Sequence, residues 1–226
     1  MRHGPTLSAP AGPGALSRSG PRLGVKKGTT MIVRRPMLVS LSLLALPWMP
    51  LAAQVTLEGQ TFDARVRVGG QDLLLNGVGL RAVAWLKGYA AGLYLLQKSG
   101  SADTVLAMPG PKRLQLRMLQ EVSTQEFVKA FDRGVKRNTA EADLPALTER
   151  MQQFDAIVSA LGTVRKGDVV DLDFVPGQGL LFVHNGKRRG DVVKGDDFYA
   201  ALLRIFIGAK PTDPELKTGL LGGPVS

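Results

Sequence analysis

The sequence predicts an α+β fold: an antiparallel β-sheet with a helical layer on one face. Three observations carry this expectation. Segments alternating apolar and polar residues come in two runs, and each run is followed by two segments of helical period. That order belongs to α+β chains rather than to alternating βαβ units. Lys112 to Leu119 alternates strictly, with Leu114, Leu116 and Met118 on one side and Arg113, Gln115 and Arg117 on the other. Asn185-Gly186 is a two-residue hairpin signal between two such segments, so its flanking strands run antiparallel.

Residues 1–53 stand apart from this pattern. Residues 1–30 are rich in Gly, Pro, Ser and basic residues without apolar period, as in a disordered tail or an upstream extension from a misplaced start codon. Met31 opens a secretory pattern: Arg34 and Arg35, an apolar run from Met37 to Leu46, then Leu51-Ala52-Ala53 before Gln54. The run is too short to span a bilayer. The expected organisation is therefore an extension at 1–30, a signal peptide at 31–53, and one domain over 54–226. A periplasmic or secreted location follows, with no stable membrane span after cleavage.

The elements of that domain follow in order. Val55 to Phe62 and Ala64 to Val68 read as two strands, with Gly69-Gly70 as a turn. Leu73 to Val83 and Ala84 to Gln97 read as longer strands, and Asp103 to Met108 as a short helix stopped by Pro109-Gly110-Pro111. After the Lys112–Leu119 strand, Ser123-Thr-Gln-Glu126 is a capping box for a helix to about Asn138. A second helix spans Pro145 to Leu161 and ends at Gly162. Val169 to Val175 and Leu180 to His184 pair across Pro176-Gly177, and a further strand runs from about Arg189 to Val193. Asp196 or Asp197 caps a helix through Ile207, and Asp213-Pro214-Glu215 starts a last short one.

Composition removes several classes of function. The full chain carries 29 basic and 19 acidic residues, a net charge of +10. Seven of the basic residues and none of the acidic ones precede Gln54, which leaves 22 against 19, or +3. That balance is no nucleic-acid signature. The chain has no cysteine, hence no disulfide, no thiol nucleophile and no lipid anchor through an N-terminal Cys. His3 and His184 are the only histidines, too few for a metal site or a Ser-His-Asp triad after His3 is set aside. No metal and no cofactor is expected. Asp171 and Asp173 share a strand face in the manner of a glycosidase pair, but next to Val170, Leu172 and Phe174 they read as solvated outer charges. Gly77-Val-Gly79 and Gly177-Gln-Gly179 lack the strand–helix setting of phosphate loops.

The richest stretch runs from Asn76 to Leu95. It has four glycines (Gly77, Gly79, Gly88 and Gly92), where backbone must approach something closely, and a single arginine at its centre, Arg81. An inward-facing guanidinium keeps its charge and needs an anion or carbonyl partner. Tyr89 and Tyr94 are the nearby polar aromatics.

Gly-Val-Gly-Leu-Arg (77–81) and Ala-Gly-Leu-Tyr-Leu (91–95) resemble signature segments of the chalcone isomerase-like family. Lys-Gly-Asp-Val-Val (166–170), Phe-Val-Pro-Gly-Gln-Gly (174–179) and Asn-Gly-Lys (185–187) resemble its bacterial branch. Phe198 to Gly208 resembles the helix that closes the family's cleft, and Leu216 to Gly222 the terminal helix. The resemblance implies a ligand cleft between sheet and helices, with Arg81 as its cation. In the plant-type isomerases that arginine stabilises a phenolate that closes a flavanone ring; in fatty-acid-binding relatives it holds a carboxylate with a tyrosine. The remaining isomerase positions depart from the pattern. The threonine of the next strand falls at Tyr89 or Gly88, the tyrosine and asparagine of the following helix fall within Thr124 to Arg133 at Glu126 or Phe127 and at Arg133, and the small polar residue of the closing helix falls at Ile205. An arginine kept without its polar partners implies binding of a small amphipathic anion such as a fatty acid, through Arg81, Tyr89 and Tyr94. The alternatives are an isomerase acting on a chalcone-like enone, and a non-catalytic envelope protein that binds a partner.

Overall fold

A computed structural model describes residues 54–83 and 86–224; the upstream extension and the signal peptide expected at 1–53 lie outside the described residues. The strands are β1 (Gln54–Leu57), β2 (Gln60–Asp63), β3 (Arg65–Val68), β4 (Gln71–Val83), β5 (Leu86–Leu95), β6 (Lys112–Met118), β7 (Val122–Ser123), β8 (Thr163–Val164), β9 (Val169–Val175), β10 (Gly179–His184) and β11 (Lys187–Val193). The helices are α1 (Ala102–Ala107), α2 (Thr124–Asn138), α3 (Leu144–Ser159), α4 (Asp196–Ile207) and α5 (Pro214–Leu220), with a 3-10 turn at Glu141–Asp143. Seven strands form one sheet in the order β11-β10-β9-β6-β5-β4-β3, and every neighbouring pair is antiparallel. The expected α+β architecture is the one observed.

Two local expectations need correction. Val55 to Phe62 is not one strand: β1 and β2 form a hairpin that turns at Glu58-Gly59, whose φ values of 51° and 72° are left-handed. Alternation alone could not show a turn in which Glu58 takes the conformation usually left to Gly or Asn. The cap of α4 is Gly195 rather than Asp196 or Asp197, so the cap residue itself supplies no side-chain bond. Asp197 instead accepts two hydrogen bonds from Arg150, at 2.5 and 2.8 Å. At α2, Ser123 caps as expected, accepting from the Glu126 amide, while the Glu126 carboxylate turns to Lys129 at 3.0 Å.

The face of the sheet that carries the helices holds the main core. Leu93, Leu114, Leu116 and Leu172 are at most 1 % exposed, and they meet Phe131, Phe154 and Phe198, whose rings lie 4.5 to 6.1 Å apart. The outer face is covered too. Phe62 of the hairpin lies on Gly92, where an added Cβ would come within 2.7 Å of the ring, and Arg117 stands 5.2 Å over it. Asp171 and Asp173 are therefore not solvated charges. Both are 7 % exposed. Arg113 holds Asp173 with two bonds of 2.5 and 2.6 Å, and Gln115 donates to Asp171 at 2.7 Å. Burial of such charges is tolerable because each is paired and hydrogen-bonded.

The short helix α5 lies directly on β4, where the two backbones nearly touch. A Cβ at Gly77 would lie 2.1 Å from the Gly219 carbonyl oxygen, one at Gly79 2.6 Å from that of Leu216, and one at Gly219 2.2 Å from that of Val78. Only glycine fits at these three positions. A β-bulge between Leu75 and Gly77 turns Asn76 to the same side. Its amide donates to the Leu220 carbonyl at 2.7 Å and to that of Ser99 at 3.0 Å, and accepts from the Ser99 N–H. The end of α5 is thereby tied to both the strand and the loop after β5.

Within the helical layer, Asp132 of α2 and Asp155 of α3 each bury one carboxylate oxygen without a partner among the described residues. Burial, and secondarily the Asp132 charge, push Asp155 up to about 6.

Two outcomes are expected. Gly79→Ala should lower the stability read from urea unfolding by about 2 kcal/mol through overpacking, whereas at Gly88 the added methyl would meet only the Arg81 carbonyl, at 3.5 Å, and should cost less than about 1 kcal/mol. Equal midpoints for the two variants would mean that α5 does not rest on β4. An acid raised from 3.8 to about 6 costs stability once ionised, so its penalty is absent below pH 4 and complete above pH 6. Asp155→Asn should therefore stabilise the protein at pH 7.5 by about 1 kcal/mol, discounted for partial exposure. The gain over the parent should vanish at pH 4; a difference independent of pH would reject the carboxylate as its source.

Candidate functional site

Arg81 and Tyr89 face each other across the β4–β5 ladder, and Tyr89 in turn is paired with Met118 of β6. All three side chains lie on the face that carries the helices, because Ala91, Leu93 and Met118 of the same face belong to the main core. Arg81 thus stands on the helical side of the sheet. The side chain is 24 % exposed.

What Arg81 meets there is a carboxylate of the protein itself. Its Nη1 donates to Oδ2 of Asp213 at 3.2 Å and to the Ala82 carbonyl at 2.6 Å. Asp213 is also the N-cap of α5: its other oxygen, Oδ1, accepts from the amides of Glu215 at 2.9 Å and Leu216 at 3.2 Å. One carboxylate thus ends the helix and balances the arginine, and Pro214 at the first helical position leaves no amide wasted. Among the described residues both contacts of Arg81 use Nη1, so the rest of the fork is available to a further acceptor.

Beside this pair lies a cavity of about 70 Å³ between sheet and helices. Tyr89 and Leu172 form its floor, Phe127 and Ala130 of α2 one wall, and Leu202 and Ile205 of α4 the other. Among the described residues that line it, Tyr89 and Thr212 alone carry hydroxyl groups. Burial raises the Tyr89 phenol above its ordinary value, and the charge of Arg81 opposes that rise only in part. The Tyr89 hydroxyl is a neutral donor at any working pH.

Tyr94 is not brought to this place. It pairs with Leu75 and Arg113 and lies fully buried on the outer face, in the cluster of Phe62, Leu73 and Val78. Its hydroxyl has no partner among the described residues. The five residues from Tyr89 to Tyr94 put the two tyrosines on opposite faces of one strand. Of the other positions weighed from the sequence, Phe127 and Ile205 line the cavity, while Glu126 and Arg133 are exposed. His184 sits at a strand end and meets Asp168 at 3.0 Å. Burial opposes ionisation of Asp168, yet the bonds from Asn185, the Arg165 amide and His184 outweigh it and hold the carboxyl at about 2. Among the described residues, no three His, Cys, Asp or Glu side chains gather as a metal site would require.

Sequence reasoning missed Asp213 and Thr212 as members of the site. Asp213-Pro214-Glu215 signals a cap, but nothing in a cap reveals that its second oxygen reaches a strand 132 residues earlier.

Comparisons with known proteins bear on the fold and the family. No curated protein matches the chain by sequence. Among solved structures, an Arabidopsis thaliana protein described as a fatty-acid binding protein superposes with a TM-score of 0.59 at 18 % identity, over 75 % of this chain and 96 % of the other. That degree of likeness establishes the fold. The family model described as chalcone isomerase-like matches residues 54–222, from the first strand to the end of α5, and so the chain belongs to the chalcone isomerase-like family.

Proposed function

We propose that this protein binds a small amphipathic anion, a fatty acid or similar carboxylate, in the cleft between sheet and helical layer, and that it does so without catalysis. The observation that carries the reading is the composition of the cavity: apolar walls, two hydroxyls at Tyr89 and Thr212, and the Arg81 cation on the next strand. An acyl chain suits the walls, and a carboxylate suits a neutral phenol beside a guanidinium. The fold neighbour's description as a fatty-acid binding protein supports the same reading. Chemistry on an enone would need several donors fixed around its carbonyl; Phe127 and Ile205, which line the cavity, offer none.

Binding has two costs. A volume of about 70 Å³ falls below the ~300 Å³ at which small-molecule pockets begin, so α2 and α4 must part to admit a chain. The ligand carboxylate must also share Arg81 with Asp213 or displace it. We further place the mature protein outside the cytoplasm, in the periplasm or secreted, on the secretory pattern at residues 31–53.

Palmitate titrated into the protein by calorimetry should bind, and Arg81→Gln should weaken it by about 2 kcal/mol, or roughly thirtyfold, with the fold retained. Ala130→Phe, which fills the mouth of the cavity, should abolish binding. Full affinity in both variants would remove the cleft as the site. In the same preparation, hydroxylated chalcones should not cyclise above the uncatalysed rate; turnover lost in Arg81→Ala would make the isomerase the better reading. N-terminal sequencing of exported protein should begin at or near Gln54, and residues 1–30 still attached would reject export by this signal.

A further inference from the structure

A second opening, separate from the apolar cavity, lies where α2 and α4 end. It is a groove of about 640 Å³ that collects Arg137, Arg204, Lys210 and Lys217, with Asp103 as its one acidic residue. None of these cations makes an ion pair with a carboxylate among the described residues. Their setting is built rather than accidental. Lys217 is anchored through Nζ to the Gly208 carbonyl at 2.8 Å. The segment of Lys210 is clamped by Asn138, which accepts from its amide at 3.0 Å and donates to its carbonyl at 2.8 Å. Thr139, also in the lining, buries a hydroxyl oxygen that has no partner among the described residues.

Basic residues near helix C-termini ordinarily answer the helix dipole, and that explanation falls short here. Two C-termini contribute roughly −0.5 each, and Asp103 adds one negative charge. Four cations face them, which leaves a surplus of about +2. A phosphate monoester carries a charge of about −1.5 to −2 at neutral pH and offers three acceptor oxygens. Two guanidiniums, two ammoniums and a hydroxyl are the donors such a group takes. A carboxylate would answer only half of the surplus.

We propose that this groove is a binding site for a phosphate monoester, held by Arg137, Arg204, Lys210 and Lys217 with the Thr139 hydroxyl as a further donor. The phosphate belongs either to a small soluble ester or to a lipid headgroup, since both present the same chemistry. The site does not depend on what occupies the apolar cavity.

The full chain should be titrated with glycerol 3-phosphate at 150 mM salt, with sulfate-matched ionic strength as control, and floated with phosphatidylcholine vesicles with and without one tenth phosphatidic acid. Saturable binding of the soluble ester supports the site and assigns a soluble ligand. Flotation only with phosphatidic acid supports it and assigns a headgroup. In either case the double variant Arg137→Gln, Lys210→Gln, both at exposed positions, should weaken binding at least tenfold and leave palmitate affinity unchanged. Arg204→Gln should weaken it independently. Absence of both interactions, binding matched by sulfate alone, or unchanged affinity in these variants would overturn the proposal.

Discussion

The contact between α5 and β4 is the constraint on which the site depends. Three glycines, Gly77, Gly79 and Gly219, let a helix backbone settle onto a strand backbone with no side chain between them. The approach fixes the height of α5 over the sheet, and with it the position of the helix N-terminus. Asp213 caps that terminus, so its second oxygen arrives at Arg81, two residues beyond Gly79 on the same face of the strand. Asn76 secures the opposite end of the helix through the bulge. The Gly-Val-Gly-Leu-Arg segment is thus a single device: the glycines seat the helix, and the seated helix supplies the partner of the arginine.

That arrangement sets what Arg81 can do. A fully desolvated, unpartnered guanidinium would be too costly to keep in the free protein. Asp213 removes the cost by pairing with it, while partial exposure keeps the pair weak enough to rearrange, since ion pairs open to water are worth about 1 kcal/mol or less. The site is therefore stable when empty, and the carboxylate of the proposed ligand would meet a modest competitor. Tyr89 adds a donor that neither ionises nor depends on Asp213.

Much of this was legible in the sequence, for reasons that differ by element. The sheet was, because strict alternation in β6 and the Asn185-Gly186 turn specify pairing locally. The helix starts at Ser123 and Asp213 were, because a cap is a short-range hydrogen bond between near neighbours. Arg81 was singled out by the family resemblance of its segment, whereas the strand pattern alone left open whether it faced the helices or water. The outer face was not: whether Asp171 and Asp173 meet water depends on the β1–β2 hairpin and on Arg113, and each is distant in sequence. The place of Tyr94 was not, because nearness along the chain is not nearness in space: one residue of parity separates the two faces of a strand. The Arg81–Asp213 pair was invisible because it joins the middle of the chain to its end.

The two openings share α2 as a wall. Along α2, Phe127, Ala130 and Phe131 line the apolar cavity, while Arg137, Asn138 and Thr139 line the basic groove. Gly134 lies between them, against Ile205 of α4, where an added Cβ would come within 2.7 Å. The missing side chain at Gly134 lets α2 pack closely against Ile205 here. On the proposed reading, admitting a ligand requires α2 and α4 to part on the Phe127 side. Packed interfaces answer such displacements by changing arrangement rather than by bending smoothly. The small size of the cavity is then no argument against a long apolar ligand: α2 holds the space closed through apolar contacts alone, and on the cavity side no hydrogen bond between α2 and α4 among the described residues opposes its opening.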